Sequence, residues 1–416
     1  MVARATSLLG LLTLLLLAWL LSGRKRPVAW RTVLLGVTLQ GLLGVTVLHT
    51  RVGAWLFRAA GHAVTALLRY AADGTRFVFG TALTAEFSVA LGVLPVIVFF
   101  SALSSLLFHL GLLQRLVALV AWGMRRSLRT TGPETLASAA NIFLGMTEAP
   151  LLIRPYLPTL TQSELFTVMV AGFGSVAGSV LGAYVGLLHN VFPDIAGHLL
   201  TASVMNAPAA LVVAKLMAPP ATGQHVDSRT DKPPPHAASC IDAAAQGALD
   251  GLKLALNVGA MLVAFIALVA LIDGLLTWPW QLYRWLGGAS EAPWTLRGIL
   301  GVLLWPLAWL LGIAPGECDT VAELLGEKIA LNEFIAYQHL GHLLTEPGRL
   351  SPRSARIASY ALCGFANFAS IAIQIGGIGG MVPERREELA TLSLKAMTGG
   401  VLVTCLSATW IGLLAD

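Results

Sequence analysis

The sequence has little charge and little cysteine. Only 12% of its 416 residues are Asp, Glu, Lys or Arg, whereas 56% are hydrophobic, and the mean hydropathy is +0.75. A soluble domain carries about 25% charged residues, so the composition indicates an integral membrane protein with several helices. The four cysteines are widely spaced and fit neither a metal site nor a disulfide framework, which leaves apolar packing as their expected use.

Two further absences bear on function. The sequence contains no H-E-x-x-H motif, and no histidine lies in the segments around Ser175 and Ser370, where an intramembrane hydrolase would need a base. We therefore expect that the protein is not an enzyme. The net charge of +5 comes from basic residues clustered in short loops, which favours membrane orientation over binding of nucleic acid.

Eight apolar segments are predicted membrane spans, of which 33–48 is marginal in length, and the first is expected to be retained because its basic residues follow it. They cover residues 8–21, 33–48, 87–112, 165–188, 199–217, 245–276, 357–380 and 389–414. The stretch from Arg51 to Tyr70 predicts an amphipathic helix in the membrane interface. The positive-inside rule places both termini outside, although Arg349, Arg353 and Arg356 then fall on the external side against that rule.

Polar residues interrupt an apolar stretch from Glu134 to Tyr156, and a similar stretch recurs from Asp319 to Tyr337. In both copies a carboxylate follows the initial one by 14 residues, Glu148 after Glu134 and Glu333 after Asp319. Each copy is followed by an apolar segment broken by small and polar residues, with Gly172–Ser175 aligned to Gly364–Asn367. A carboxylate at membrane depth costs free energy, so we expect these carboxylates to have a function.

Paired interrupted segments of this kind indicate a secondary transporter with a binding site near the middle of the membrane. We therefore predict an all-α polytopic membrane protein with inverted repeats. Each repeat contains a re-entrant helical hairpin followed by an interrupted transmembrane helix. The predicted parts are N-terminal spans and interfacial helix (1–130), first repeat (131–217), cytoplasmic linker (218–240), long scaffold helix with an external aromatic segment (241–300), and second repeat (301–416).

Three motifs resemble the concentrative nucleoside transporters, in their bacterial form with eight spans. They are NIFLGMTEAPLLIRPYL at 141–157, NEFIAY at 332–337 and SYALCGFANFASIAIQIGGIG at 359–379. The resemblance implies a homotrimer in the lipid of a bacterial inner membrane that imports nucleosides by alternating access. It also implies Na⁺ as the coupling ion and no organic cofactor. Proton coupling, or a channel or receptor on the same scaffold, stays open as an alternative.

The resemblance also implies roles for individual residues. The residues expected to face the base are Met146, Thr147, Glu148 and Val180. Glu333, Asn367 and Ser370 are expected to hold the ribose hydroxyls, and Phe365 is expected to line the site. The expected sodium ligands are the side chains of Asn141 and Ser175 and the carbonyls of Leu144 and Val176.

Met146 departs from the family pattern, which usually has glutamine at this position. A thioether makes only weak hydrogen bonds, whereas an amide both donates and accepts. We predict that ribose recognition is kept while base recognition changes, unless a bridging water restores the lost contact.

Overall fold

A computed structural model describes residues 2–22, 27–83, 89–128, 130–220, 238–285 and 295–415, and within them every regular element is helical. The predicted all-α class is confirmed. The basic cluster at 24–26, Arg129 and most of the predicted linker (221–237) lie outside the described residues.

Seven helical segments among the described residues are long and apolar enough to cross a membrane, judged by length and composition. They are Ala3–Leu20, Trp30–His49, Val89–His109, Gln162–Leu188, Ile195–Met217, Cys240–Gln281 and Pro383–Leu414. These correspond to seven of the eight predicted spans. The eighth, at 357–380, is divided between two short helices on either side of a break, so neither helix alone has the length of a span.

The N-terminal part begins with α1 (Val2–Leu20) and α2 (Trp30–His49), followed by α3 (Arg51–Leu83), α4 (Leu94–His109) and α5 (Leu112–Leu128). The predicted amphipathic helix is present as α3 and extends 13 residues beyond Tyr70. Val64, Ala71 and Thr75 are buried along one side of α3, whereas Arg58 and Arg69 are exposed. Charged residues are thus exposed and part of the apolar surface is buried, as in an amphipathic helix, although Trp55 and Leu56 are exposed as well. The position of α3 in the membrane interface stays a prediction.

The first repeat contains α6 (Gly132–Ala140), a 3₁₀ helix (Ala149–Thr159), α7 (Gln162–Phe173), α8 (Gly178–Leu188) and α9 (Ile195–Met217). After α10 (Cys240–Trp285) and α11 (Leu296–Leu310), the second repeat contains α12 (Cys318–Ala330), α13 (Glu333–Thr345), α14 (Pro352–Leu362), α15 (Phe368–Met381) and α16 (Arg386–Leu414). Both repeats therefore have the predicted order of a hairpin, a broken helix and a final long helix.

The helix ends correct the predicted register between the repeats. The helix after the break begins at Gly178 in the first repeat and at Phe368 in the second. Ala177, and not Ser175, therefore occupies the position of Asn367. The predicted alignment was displaced by two residues because it matched Gly172-Phe173, the last two residues of α7, with Gly364-Phe365 in the second break.

The repeats form the centre of the molecule, and α10 lies at its edge. Of the apolar windows, 94% of Gln162–Leu188 and 89% of Ile195–Met217 is buried, against 17% of Cys240–Gln281. α10 packs along α4, and α16 contacts α1, α7, α9 and α14. The outer face of α10 is thus available to lipid or to other copies of the chain.

Arg353 explains part of the unexpected positive charge before the second broken helix. Its guanidinium donates hydrogen bonds to the carbonyl oxygens of Gly312 and Gly412. These carbonyls lie at the C-terminal ends of α11 and α16, where helices have unpaired acceptors and partial negative charge. Arg353 therefore stabilises two helix ends, which is a structural reason for its position besides membrane orientation.

Candidate functional site

The first hairpin is formed by α6, a turn from Asn141 to Glu148 and the 3₁₀ helix. At the start of α6, Glu134 Oε1 accepts a hydrogen bond from the N–H of Thr131, 3.1 Å away. Glu134 Oε2 lies 2.5 Å from Nζ of Lys215, and both side chains are buried. Two prolines inside the returning arm, Pro155 and Pro158, remove backbone donors and so disfavour regular α-helical hydrogen bonding. Pro150 lies at the start of the arm, where a helix tolerates proline.

The turn of this hairpin meets the break between α7 and α8. The backbone N–H of Gly178 donates to the carbonyl oxygen of Phe143 at 2.9 Å. An added Cβ on Gly178 would lie 2.9 Å from the same carbonyl, so the close approach requires glycine. The predicted ligands Leu144 and Val176 are buried in these two non-helical segments.

Asn141 and Ser175, the other two predicted sodium ligands, are in contact. Ser175 Oγ lies 3.3 Å from Asn141 Oδ1, and both side chains are almost fully buried. Asn141 Nδ2 donates to the carbonyl oxygen of Ala137 at 3.0 Å, which turns its Oδ1 towards Ser175. An amide oxygen, a hydroxyl and carbonyls of non-helical backbone are hard neutral ligands of the kind that Na⁺ takes.

In the second repeat, asparagines begin the helices that follow each break. Asn332 Oδ1 accepts from the N–H of Ile335 at 2.9 Å, and Asn367 Oδ1 accepts from the N–H of Ser370 at 2.8 Å. Such N-caps satisfy backbone donors that would otherwise be unpaired inside the protein. They place Glu333 and Ser370 in the first turns of α13 and α15.

Glu333 is the centre of a buried hydrogen-bond network. Its Oε1 accepts from the hydroxyl of Tyr184 at 2.7 Å, and its Oε2 accepts from Nδ2 of Asn367 at 2.9 Å. The side chain of Glu333 is only 6% exposed. The hydrogen bond from Tyr184 of α8 joins the two repeats.

This arrangement leaves Glu333 with unused binding capacity. Each oxygen of a carboxylate offers about two acceptor sites, and the side chains of Tyr184 and Asn367 occupy one on each oxygen. The remaining two sites lie on neighbouring atoms at a fixed spacing. They match a pair of adjacent hydroxyl donors.

Glu148 has different surroundings from Glu333. It is half-buried, accepts from the N–H of Gly145 at 3.2 Å, and lines a cavity of about 210 Å³. The cavity lies between the first hairpin, α4, α8 and α10 and also contacts Ser179, Gln246 and Asp250. Glu148 and Glu333 share no hydrogen bond among the described residues. Helix α8 lies between them, with Ser179 lining the cavity and Tyr184 donating to Glu333.

Met146 and Thr147 pack in the opposite direction, between α7 and α15. An added Cβ on Gly172 would lie 3.0 Å from Met146 Cβ, and one on Gly377 would lie 2.5 Å from Thr147 Cγ2. The tip of the first hairpin therefore fits closely between helices of both repeats. Within one turn, Glu148 therefore lines the cavity, whereas Met146 and Thr147 pack against α7 and α15.

Phe365 and Val180 complete the predicted set. The N–H of Phe365 donates to the carbonyl oxygen of Ser175 at 3.0 Å, so the breaks of the two broken helices touch. Val180 is buried on α8 one turn before Tyr184, and Phe365 is half-buried. The structure thus brings Glu333, Asn367 and Phe365 near the sodium candidates through α8 and the touching breaks.

Tyr184 and Lys328 were missed by the sequence reasoning. Tyr184 follows Val180 by four residues, so helical spacing was the signal that could have found it. Lys328 is 1% exposed, and its Nζ donates to the carbonyl of Ala361 at 2.7 Å and to Thr404 Oγ1 at 2.8 Å. A buried ammonium at the C-terminal end of α14 stabilises the partial negative charge there.

Comparison with known proteins gives the family. Residues 9–82 match the model described as Na+ dependent nucleoside transporter N-terminus, and residues 198–412 match the corresponding C-terminus model. Residues 90–190 match a model described as nucleoside recognition. The chain belongs to the Na⁺-dependent, or concentrative, nucleoside transporter family.

Relatives of this transporter include an uncharacterized transporter of Haemophilus influenzae, 40% identical over 98% of the chain and 97% of the relative. The sodium/nucleoside cotransporter 1 of Mus musculus is 39% identical over 98% of the chain and 63% of the relative. The solved structure of CNTnw in an inward-facing substrate-bound state superposes with a TM-score of 0.89 at 38% identity, covering 99% of this chain and 98% of that one. These similarities establish a transporter fold and show that the family is not one of enzymes.

Proposed function

We propose that this transporter is a symporter that imports nucleosides, with Na⁺ as the coupling ion and alternating access as the mechanism. The observation that carries the substrate class is the environment of Glu333. Two acceptor sites remain on a buried carboxylate whose position is fixed by Tyr184 and Asn367. Adjacent hydroxyls of a ribose can donate one hydrogen bond to each of them.

Ser370 and Phe365 extend this ribose site. Ser370 lies in the first turn of α15, which Asn367 caps, and its hydroxyl adds a group that can donate or accept. A site built around such groups rejects analogues that lack the hydroxyls, because its own buried polar atoms would stay unpaired. Met146, Thr147, Glu148 and Val180 are proposed to contact the base.

Sodium coupling is supported by the contact of Asn141 with Ser175 beside the carbonyls of Leu144 and Val176. A Na⁺ ion held there would stabilise the meeting point of the hairpin turn and the α7–α8 break. The hydrogen bond between Ser175 and Phe365 links this point to the second repeat. Bound sodium would thereby favour the geometry of the ribose site.

The transporting part is proposed to comprise the two hairpins and the two broken helices, moving against a scaffold that includes α4 and α10. The exposed apolar face of α10 supports contact between copies in a homotrimer. We place the protein in a bacterial inner membrane with both termini outside.

Uptake by purified protein in proteoliposomes tests the function. An inward sodium gradient at fixed pH should drive accumulation of uridine above its external concentration. Uptake that follows a proton gradient and ignores sodium would replace sodium by proton coupling, whereas equilibration without accumulation would indicate a channel.

Glu333→Ala tests the ribose assignment. It should abolish uptake, while the protein still elutes as a folded species and inserts into the membrane normally. Full transport by this variant would refute the proposed function of Glu333. Deoxyribonucleosides that lack one hydroxyl should compete with uridine less well than ribonucleosides do.

A further inference from the structure

Gln374, in the middle of α15, has a buried amide with one unpartnered half. The side chain is 0% exposed, and its Nε2 donates to the carbonyl oxygen of Met169 in α7 at 3.0 Å. Its Oε1 is buried and accepts no hydrogen bond from the described residues. Turning the amide over would place Oε1 against the Met169 carbonyl, so the observed orientation is the favourable one.

Gln374 continues the polar face of α15 that carries the proposed ribose site. Asn367, Ser370 and Gln374 are separated by three and four residues, which places them on one side of a helix. All three are buried, whereas Phe368 and Ile373 are exposed on other faces of the same helix. The unpartnered oxygen therefore belongs to the interior side of α15, one turn beyond Ser370.

Gln374 also lies near the tip of the first hairpin. A Cβ added to Gly172 would lie 2.6 Å from Gln374 Nε2 and 3.0 Å from Met146 Cβ, so both side chains converge on the backbone of Gly172. Met146 can offer this region only a thioether, which is a weak acceptor and no donor. Gln374 is thus a strong hydrogen-bonding group beside a hairpin residue proposed to face the base.

We propose that Gln374 is a specificity-determining residue for the nucleobase, and that its Oε1 accepts a hydrogen bond from a nitrogen donor on the base edge. The inference rests on the proposed nucleoside transport. An amide on α15 then provides the polar contact that Met146 does not. Buried acceptors in native proteins are nearly always satisfied by protein, water or ligand, and a base donor would satisfy this one when substrate binds.

The location of Gln374 matters as much as its unpartnered oxygen. Gln40 in α2 is also 0% exposed, donates to Ser407 Oγ at 2.9 Å and has a buried Oε1 without a partner. Gln40 packs against α16, whereas Gln374 and Met146 both lie against Gly172. Gln40 therefore offers a matched control with the same chemistry in a different place.

Calorimetry on the purified native protein in sodium tests the inference from the ligand side. Three nucleosides are compared with analogues that lack a base donor: adenosine with purine riboside, cytidine with pyrimidin-2-one riboside, and uridine with 3-methyluridine. We expect at least one donor-bearing nucleoside to bind on the order of tenfold more tightly than its analogue. Equal affinity within all three pairs would overturn the inference.

Gln374→Met tests the same contact from the protein side, because it keeps the length of the side chain and removes the amide. It should abolish the discrimination within that pair by weakening the donor-bearing nucleoside alone, while Gln40→Met keeps the native discrimination. Unchanged discrimination in a folded Gln374→Met variant would show that Gln374 only joins α15 to α7. If the variant does not fold, Gln374→Glu, which keeps an acceptor at this position, replaces it, and equal affinities within all three pairs on the native chain would still overturn the inference.

Different results would refute the assignment of Gln374 and the proposed function. A native chain that binds none of the six nucleosides would refute nucleoside transport and this inference with it. Binding that is lost in Glu333→Ala but does not depend on base donors would refute the assignment of Gln374 and leave the proposed function intact.

Discussion

Tyr184→Phe removes one oxygen from the network around Glu333 and should weaken ribose binding. The hydroxyl of Tyr184 donates to Glu333 Oε1 at 2.7 Å, and the ring packs 4.6 Å from the ring of Tyr337. Phenylalanine keeps the ring contact and loses only the hydrogen bond. The carboxylate is then held by Asn367 alone and is free to turn away from the substrate.

The size of the effect follows from the charge of the acceptor. Hydrogen bonds to charged groups contribute about 1.5–3 kcal/mol, and water or substrate can satisfy part of the freed acceptor, which favours the lower end of that range. One factor of ten in affinity corresponds to about 1.4 kcal/mol. We therefore expect the Kd for uridine to rise about tenfold, with a similar loss for every ribonucleoside.

The assay is calorimetric binding of uridine in saturating sodium, together with uptake in proteoliposomes. Tyr337→Phe is the control, because Tyr337 is equally buried and its hydroxyl donates to the carbonyl oxygen of Ser359 at 2.7 Å instead of to Glu333. Both variants lose one buried hydrogen bond and should be similarly less stable. An equal Kd in both variants would refute the idea that Tyr184 positions Glu333 for the ribose.

Three further changes address the sodium contact, the buried lysine and the interface with the scaffold. Ser175→Ala removes one of the two side chains at the sodium candidate, so half-maximal uptake should require a higher sodium concentration, measured at saturating uridine. Lys328→Met leaves a carbonyl and a hydroxyl without their donor, so thermal unfolding should occur at a lower temperature. Gly182→Ala places a Cβ 2.8 Å from the ring of Phe100 on α4, so uptake should slow while uridine affinity stays native.

Much of the candidate site could be predicted from the sequence because its polar residues stand out in apolar surroundings. Asn141, Glu148, Glu333 and Asn367 interrupt stretches that otherwise resemble membrane spans. Such residues are costly at membrane depth, so their positions were informative without any structure. The hairpins and both helix breaks were located in this way.

Residues whose function depends on distant partners could not be found in the same way. Tyr184 and Glu333 are 149 residues apart, and nothing near Tyr184 indicates that its hydroxyl faces a carboxylate. Lys328 lies within a regular helix, where its sequence neighbours are compatible with an exposed side chain. The alignment of the two breaks was also predicted wrongly. Asn367 caps the helix after the second break, whereas the first repeat has Ala177 at the equivalent position, so the two sequences share no cap residue by which to align them.

The contact between the breaks of α7–α8 and α14–α15 limits which substitutions this protein can accept independently in its two halves. The hydrogen bond from the N–H of Phe365 to the carbonyl oxygen of Ser175 ties a backbone segment of one half to its counterpart in the other. A substitution at the proposed sodium site of the first half would therefore also displace the proposed ribose site of the second. Exchanging either half with that of a relative should succeed only when both breaks are exchanged together.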